Sequence, residues 1–193
     1  KNYADHAKEM GSEVPKEPII FLKPNTSVIG PGDTIVWPAM APTIDYEAEL
    51  AVVIGRVCKD VPKERVHEVI YGYTLANDIT CRELQKSDGQ WARAKGFDTF
   101  CPIGPWIETD FVPGTQRIFS KVNDEIRQDA TLDQMIFSVS DIVVFVSQIM
   151  TLLPGDVIIT GTPAGIGPLI ERGNVVVGID GLGQLTNKVS AKP

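Results

Sequence analysis

Residues Asp45-Tyr46-Glu47-Ala48-Glu49-Leu50-Ala51-Val52-Val53-Ile54-Gly55 form an apolar, β-branched run headed by carboxylates and closed by a glycine. That pattern predicts a strand over Glu47–Ile54. Side chains alternate between faces along a strand, so Glu47 and Glu49 point the same way, about 7 Å apart at their backbones. Two like charges held side by side repel unless something positive sits between them. A divalent cation that takes oxygen ligands, Mg²⁺ or Mn²⁺, meets that requirement. Acidic pairs on strands are more often solvated surface, so the pair alone leaves both readings open.

The chain has 193 residues, enough for one substantial core and a single domain over residues 1–193. Hydrophobic residues make up 43% and charged residues 22%, a globular balance rather than a disordered one. A net charge of −7 and the absence of any long Lys/Arg run argue against a nucleic-acid footprint. The longest apolar stretch, around Ile142-Val143-Val144-Phe145-Val146, is interrupted by Ser147 and Gln148, too soon for a membrane span. Cys58, Cys81 and Cys101 are odd in number and lack CxxC spacing, which suits a reducing cytoplasm without disulfides or a zinc site. Cys81 reads as a small buried thiol.

With 17 glycines and 14 prolines separating short β-branched stretches, sheet should outweigh helix. Strands are predicted at 19–23, 47–54, 72–77, 105–108, 117–122, 156–160, 175–179 and 184–189. Residues 121–127 read as a hairpin with Asn123-Asp124 at its tip. Helices are predicted over 63–71, after Pro62, and over 140–153, capped by Ser138 or Ser140 and stopped before Pro154-Gly155. The fold class is α+β, rich in sheet, with few helices.

Asp78 closes the aromatic stretch Tyr71–Asn77 and offers a third carboxylate, a set that leaves a hard cation open positions for substrate and water. His6 and Glu9 stand three residues apart, one helical face, where the carboxylate could orient the imidazole as a general base. An incidental exposed histidine fits that spacing as well; His67, in a charged segment, reads as surface. Arg82 and Gln85 share the same spacing, and Arg82 could clamp a substrate carboxylate with Gln85 hydrogen-bonding beside it. Lys95, among small residues, could face a developing oxyanion, although a surface ion pair is a lysine's more frequent fate. The loop Thr160-Gly161-Thr162-Pro163-Ala164-Gly165-Ile166-Gly167 follows a strand and suits an anion, yet it is neither a P-loop nor a GxGxxG turn.

The order of these segments is more telling than any one of them. Asn2-Tyr3-Ala4-Asp5-His6-Ala7-Lys8-Glu9, Ile20-Phe21-Leu22-Lys23-Pro24, Asp45–Leu50, Asn77-Asp78, Ala94–Asp98 and Pro154–Pro163 together resemble the fumarylacetoacetate hydrolase (FAH) family over nearly the whole chain. The resemblance is strongest to its small-enzyme branch of acylpyruvases, oxaloacetate decarboxylases and 2-hydroxyhepta-2,4-diene-1,7-dioate isomerases. It implies an FAH-type mixed β-sheet roll, a homodimer, and Mg²⁺ or Mn²⁺ held by Glu47, Glu49 and Asp78. It further implies a water-activating pair in His6 and Glu9, an active-site lysine in Lys95, and substrate contacts from Arg82, Gln85 and Thr162. The expected chemistry is metal-dependent cleavage of a carbon–carbon bond in a 2-oxo acid through a pyruvate enolate. Hydrolysis of acetylpyruvate or fumarylpyruvate comes first, and oxaloacetate decarboxylation is possible at the same site. The alternatives are the dienedioate isomerase/decarboxylase of aromatic catabolism and, in another class, a catalytically silent metal-binding interaction protein. The chain starts inside the Asn-Tyr-Ala-Asp-His motif, where relatives carry a leading strand, so a preceding N-terminal segment is expected.

Overall fold

The computed structural model describes residues 1–193. In chain order its first half contains α1 (Ala4–Glu9), β1 (Val28–Ile29), β2 (Thr34–Ile35), β3 (Asp45–Tyr46), β4 (Ala48–Ile54), β5 (Ile70–Asn77), α2 (Arg82–Asp88) and α3 (Ala92–Lys95). The second half contains β6 (Cys101–Glu108), β7 (Arg117–Val122), β8 (Glu125–Thr131), α4 (Val139–Ile149), β9 (Val157–Ile159), β10 (Gly167–Pro168), β11 (Asn174–Ile179) and β12 (Gly183–Val189). The fold is sheet-rich with short helices, as its punctuation by glycine and proline predicts. No helix is long and apolar enough to cross a membrane.

Two five-stranded sheets dominate, ordered β1-β6-β5-β4-β9 and β2-β12-β11-β7-β8, with a small β10-β3 pair beside them. Period-2 alternation decides what each strand contributes. Leu50, Val52 and Ile54 of β4 enter a core shared with Ile118, Val177, Ile179 and Leu185 of the second sheet and with Ile142, Val143 and Val146 of α4. Burying a side chain of the size of Leu50 stabilises by about 1.5–3 kcal/mol, so this parity fixes the register of β4 and sends Glu49 to the opposite face. A second core gathers Ile35, Trp37, Ile44, Tyr46, Ile79, Phe100 and Val175 beneath α2 and α3.

The hairpin forms as its sequence predicts: β7 and β8 meet at Asn123 and Asp124, both with positive φ (49° and 69°), as a tight primed turn requires. Ser138 caps α4 through a capping box with Asp141. Three expected elements differ. Residues 19–23 form no strand, because no neighbouring backbone edge pairs with them. Residues 63–68 make 3₁₀ turns rather than an α-helix to 71, since Ile70 and Tyr71 are drawn into β5 opposite the end of β4. Helix α4 stops at Ile149, four residues early, and Leu152 bridges to Cys58 instead.

Candidate active site

The register between β4 and β5 builds the acidic centre. Ala48 pairs with Asn77 and Glu49 with Ala76, and the Asp78 N–H donates to the Glu47 carbonyl at 2.9 Å. Glu47 therefore lies opposite Asp78, and Glu49 follows on the same face beside the small Ala76. The Asn77 side chain accepts from the Glu47 N–H at 2.9 Å and pins the junction between β3 and β4. The three carboxylates are buried, and one oxygen from each lies within 4.8 Å of the others.

Cations surround two of the three. Lys95 Nζ donates to Glu47 Oε2 at 3.1 Å, to Thr80 Oγ1 at 2.8 Å, and to Asp78 Oδ2. Lys23 Nζ holds the other oxygen of Asp78 at 2.6 Å. Arg82 donates through Nε to Asp45 Oδ2 at 2.9 Å and through Nη1 to Gln85 Oε1 at 3.1 Å, and its Nη2 is ion-paired with Glu47. Burial pushes the Glu47 carboxyl up, but Lys95 and Arg82 outweigh it and hold the group below the usual carboxylate range. Burial alone would neutralise Lys95, yet Asp78 and Glu47 keep it charged above its ordinary value.

Glu49 has no such partner. Its one hydrogen bond comes from the Gly161 N–H at 2.6 Å, and burial together with Asp78 and Glu47 drives its carboxyl well above the ordinary range. Three hard oxygen donors, buried together with one lacking a counter-charge, fit a divalent cation of the Mg²⁺ or Mn²⁺ type.

His6, on α1, lines the same cleft of about 460 Å³ as Glu47, Glu49 and Asp78. Its Nδ1 lies 3.1 Å from Glu9 Oε2, which makes Nδ1–H the donor and leaves Nε2 as the basic nitrogen. Burial lowers the His6 pKa below its ordinary value, against the pull of Glu47 and Glu9. Glu9 is itself anchored by the Gly165 N–H at 3.0 Å, and Tyr46 donates to the Gly165 carbonyl at 2.8 Å. The 160–167 loop thus sets the carboxylate that sets the imidazole. Gly165 has φ +95°, and a Cβ there would lie 2.2 Å from the Arg127 carbonyl. Gly165→Ala should lose about 2–4 kcal/mol, combining backbone strain with overpacking; an unchanged urea midpoint would contradict this account of the loop.

Arg82, Gln85, Lys95 and Thr162 all line this cleft, so the structure brings together every residue singled out in the sequence, with Glu9 just behind His6. Sequence reasoning missed Lys23, Asp45, Asn77, Thr80 and Gln128. Asp45 carried a legible signal, since it shares the parity of Glu47 and Glu49. Lys23 was a lone cation in an apolar run. The others owe their positions to tertiary contacts.

Residues 1–190 match the family description "Fumarylacetoacetate (FAA) hydrolase C-terminal". The chain belongs to the fumarylacetoacetate hydrolase family. Solved structures of FAH-family members superpose closely. A 5-carboxymethyl-2-hydroxymuconate delta-isomerase from Mycobacterium smegmatis has a TM-score of 0.94 at 51% identity, over 100% of this chain and 77% of that one. A 2-hydroxyhepta-2,4-diene-1,7-dioate isomerase from Mycobacterium marinum gives 0.92 at 49%, over 100% and 72%. A fumarylpyruvate hydrolase from Pseudomonas aeruginosa, solved with Mn²⁺ and pyruvate, gives 0.93 at 34%, over 100% and 87%.

Proposed function

We propose that this protein is a Mg²⁺- or Mn²⁺-dependent enzyme that hydrolyses the carbon–carbon bond of an acylpyruvate, releasing pyruvate and a carboxylic acid. The observation that carries this reading is the pairing of a buried His6, held by Glu9, with an acidic trio in one cleft. Glu47, Glu49 and Asp78 would hold the cation. When bound, it supplies Lewis-acid polarisation of the 2-oxo acid and stabilises the charge that develops on the departing pyruvate.

The remaining steps belong to the chain. His6 Nε2 takes a proton from water, whose oxygen attacks the distal carbonyl carbon; the bond to the pyruvate methylene breaks, the electron pair leaves with pyruvate, and the proton held on His6 is returned to that methylene carbon, which restores the neutral base. Arg82, although engaged by Asp45, Gln85 and Glu47, keeps N–H hydrogens on its terminal nitrogens for the substrate carboxylate. Gln85 gives its oxygen to Arg82, which leaves its NH₂ as a donor. Lys95 spends its donors on Glu47, Asp78 and Thr80, so it orders the carboxylates, and facing an oxyanion would require exchanging one of them.

A second reading is favoured by the two structures near half identity whose names are isomerases: proton transfer on a 2-hydroxydienedioate, which needs the base but no attacking water. Pyruvate release from acetylpyruvate, fumarylpyruvate and oxaloacetate, with Mg²⁺ and then EDTA, separates the cases. Metal-dependent release from the acylpyruvates is expected. Release from oxaloacetate alone would make the protein a decarboxylase, and silence on all three would put the isomerase first.

A further inference from the structure

Gln128 lies outside every segment that suggested function, yet it joins both halves of the site. It belongs to β8 in the second sheet and is completely buried. Its Oε1 accepts from the Ala48 N–H at 3.0 Å, between Glu47 and Glu49. Its Nε2 donates to Thr162 Oγ1 at 2.7 Å and to the Pro163 carbonyl at 2.8 Å. These partners fix the amide's orientation. The Ala48 N–H can only donate and the Pro163 carbonyl can only accept, so a flipped amide would mismatch both.

With Nε2 pointing at it, Thr162 Oγ1 is an acceptor toward Gln128, and its own hydrogen is free to turn into the cleft that it lines. We infer that Gln128 is a positioning residue that commits the Thr162 hydroxyl to act as a hydrogen-bond donor toward an acceptor oxygen of the bound 2-oxo acid. The inference rests on the proposed reading of Thr162 as a substrate contact. It selects for a carboxylate or carbonyl oxygen at that point and against a group that can only donate. It also explains why a strand of the distant sheet carries a buried amide here: the loss of an unpaired amide in an apolar interior is avoided only because all its polar atoms are used.

The test is a double-mutant cycle on the Mg²⁺-loaded protein, read as pyruvate affinity by calorimetry, with Mg²⁺ affinity and Tm measured alongside. Thr162→Val should weaken pyruvate by about tenfold, the effect of one lost hydrogen bond to a charged group. Gln128→Met should weaken it comparably, and the double variant no further than either single one. If Gln128→Met folds poorly, Gln128→Glu keeps an acceptor for Ala48 while removing both donors, and the same cycle is read with it. Wild-type pyruvate affinity in the Gln128 variant, or losses that multiply in the double variant, would overturn the positioning role while leaving Thr162 as a contact. Unchanged affinity in Thr162→Val would remove the contact itself, and the inference with it.

Discussion

His6→Ala is expected to lower acylpyruvate hydrolysis by about 10²–10⁴-fold, the contribution of a positioned general base, while leaving Mg²⁺ affinity close to wild type. The separation is expected because His6 makes no hydrogen bond to the acidic trio; its one side-chain hydrogen-bond partner is Glu9. The pH profile carries the same signature. Protonation destroys the base, and burial lowers the His6 pKa below its ordinary 6.5, so kcat/KM should hold its plateau through neutral pH and fall only on the acid side of 6.5. In His6→Ala that acid limb should disappear from the residual rate. Glu9→Gln should cost about 10–100-fold, as for other groups that orient a functional histidine. It keeps a side chain at the Gly165 N–H but loses the charge that stabilises the imidazolium. Equal losses of turnover and metal affinity in His6→Ala would assign the residue to the metal rather than to water.

The His6–Glu9 pair was legible because both residues sit on one short helix, where i,i+3 spacing settles the geometry. The acidic trio was legible for a different reason. Strand parity orients Glu47 and Glu49, and an antiparallel neighbour ending at Asn77 brings Asp78 opposite. What parity could not reveal is the counter-charge. Lys23 reaches Asp78 from 55 residues away in a segment without regular structure, and Asp45 shares the spacing of the two glutamates without any local sign that it meets Arg82. Gln128 gave no local sign at all, since its neighbours Arg127 and Asp129 are exposed and only the packing of β8 against the 160–167 loop turns it inward. The misread elements have the same origin. Val69-Ile70-Tyr71 suits either a helix end or a strand start, and pairing with β4 decides it. Residues 19–23 have strand-forming side chains and no edge to join. Local pattern predicts where a side chain points; which group meets it depends on contacts far away in sequence.

The acidic trio predicts opposite effects on stability with and without metal. Glu49→Gln should weaken Mg²⁺ binding by about 100-fold or more, since it removes one of the three charged oxygen ligands proposed for the cation. In EDTA the same variant should be the more stable protein. Its amide oxygen can still accept from the Gly161 N–H, and it removes the cost of either charging or protonating a buried carboxyl that faces Asp78 and Glu47 with no cation of its own. The gain should be about 1–2 kcal/mol, within the scale of an unsatisfied buried polar group, seen as a rise of several degrees in Tm for a chain of this length. Saturating Mg²⁺ reverses the order. At 100 times Kd the wild type gains about 2.7 kcal/mol by linkage, and the variant gains almost nothing. Thermal scans of both proteins with EDTA and with Mg²⁺ should therefore cross. Mg²⁺ raising both midpoints equally would show that Glu49 is not a ligand, and a variant less stable in EDTA would show that the like-charge repulsion is already relieved by Lys95 and Lys23. The crossing would follow from one carboxylate, Glu49, that is buried beside Glu47 and Asp78 without a cation of its own and would meet one only when the proposed divalent ion binds.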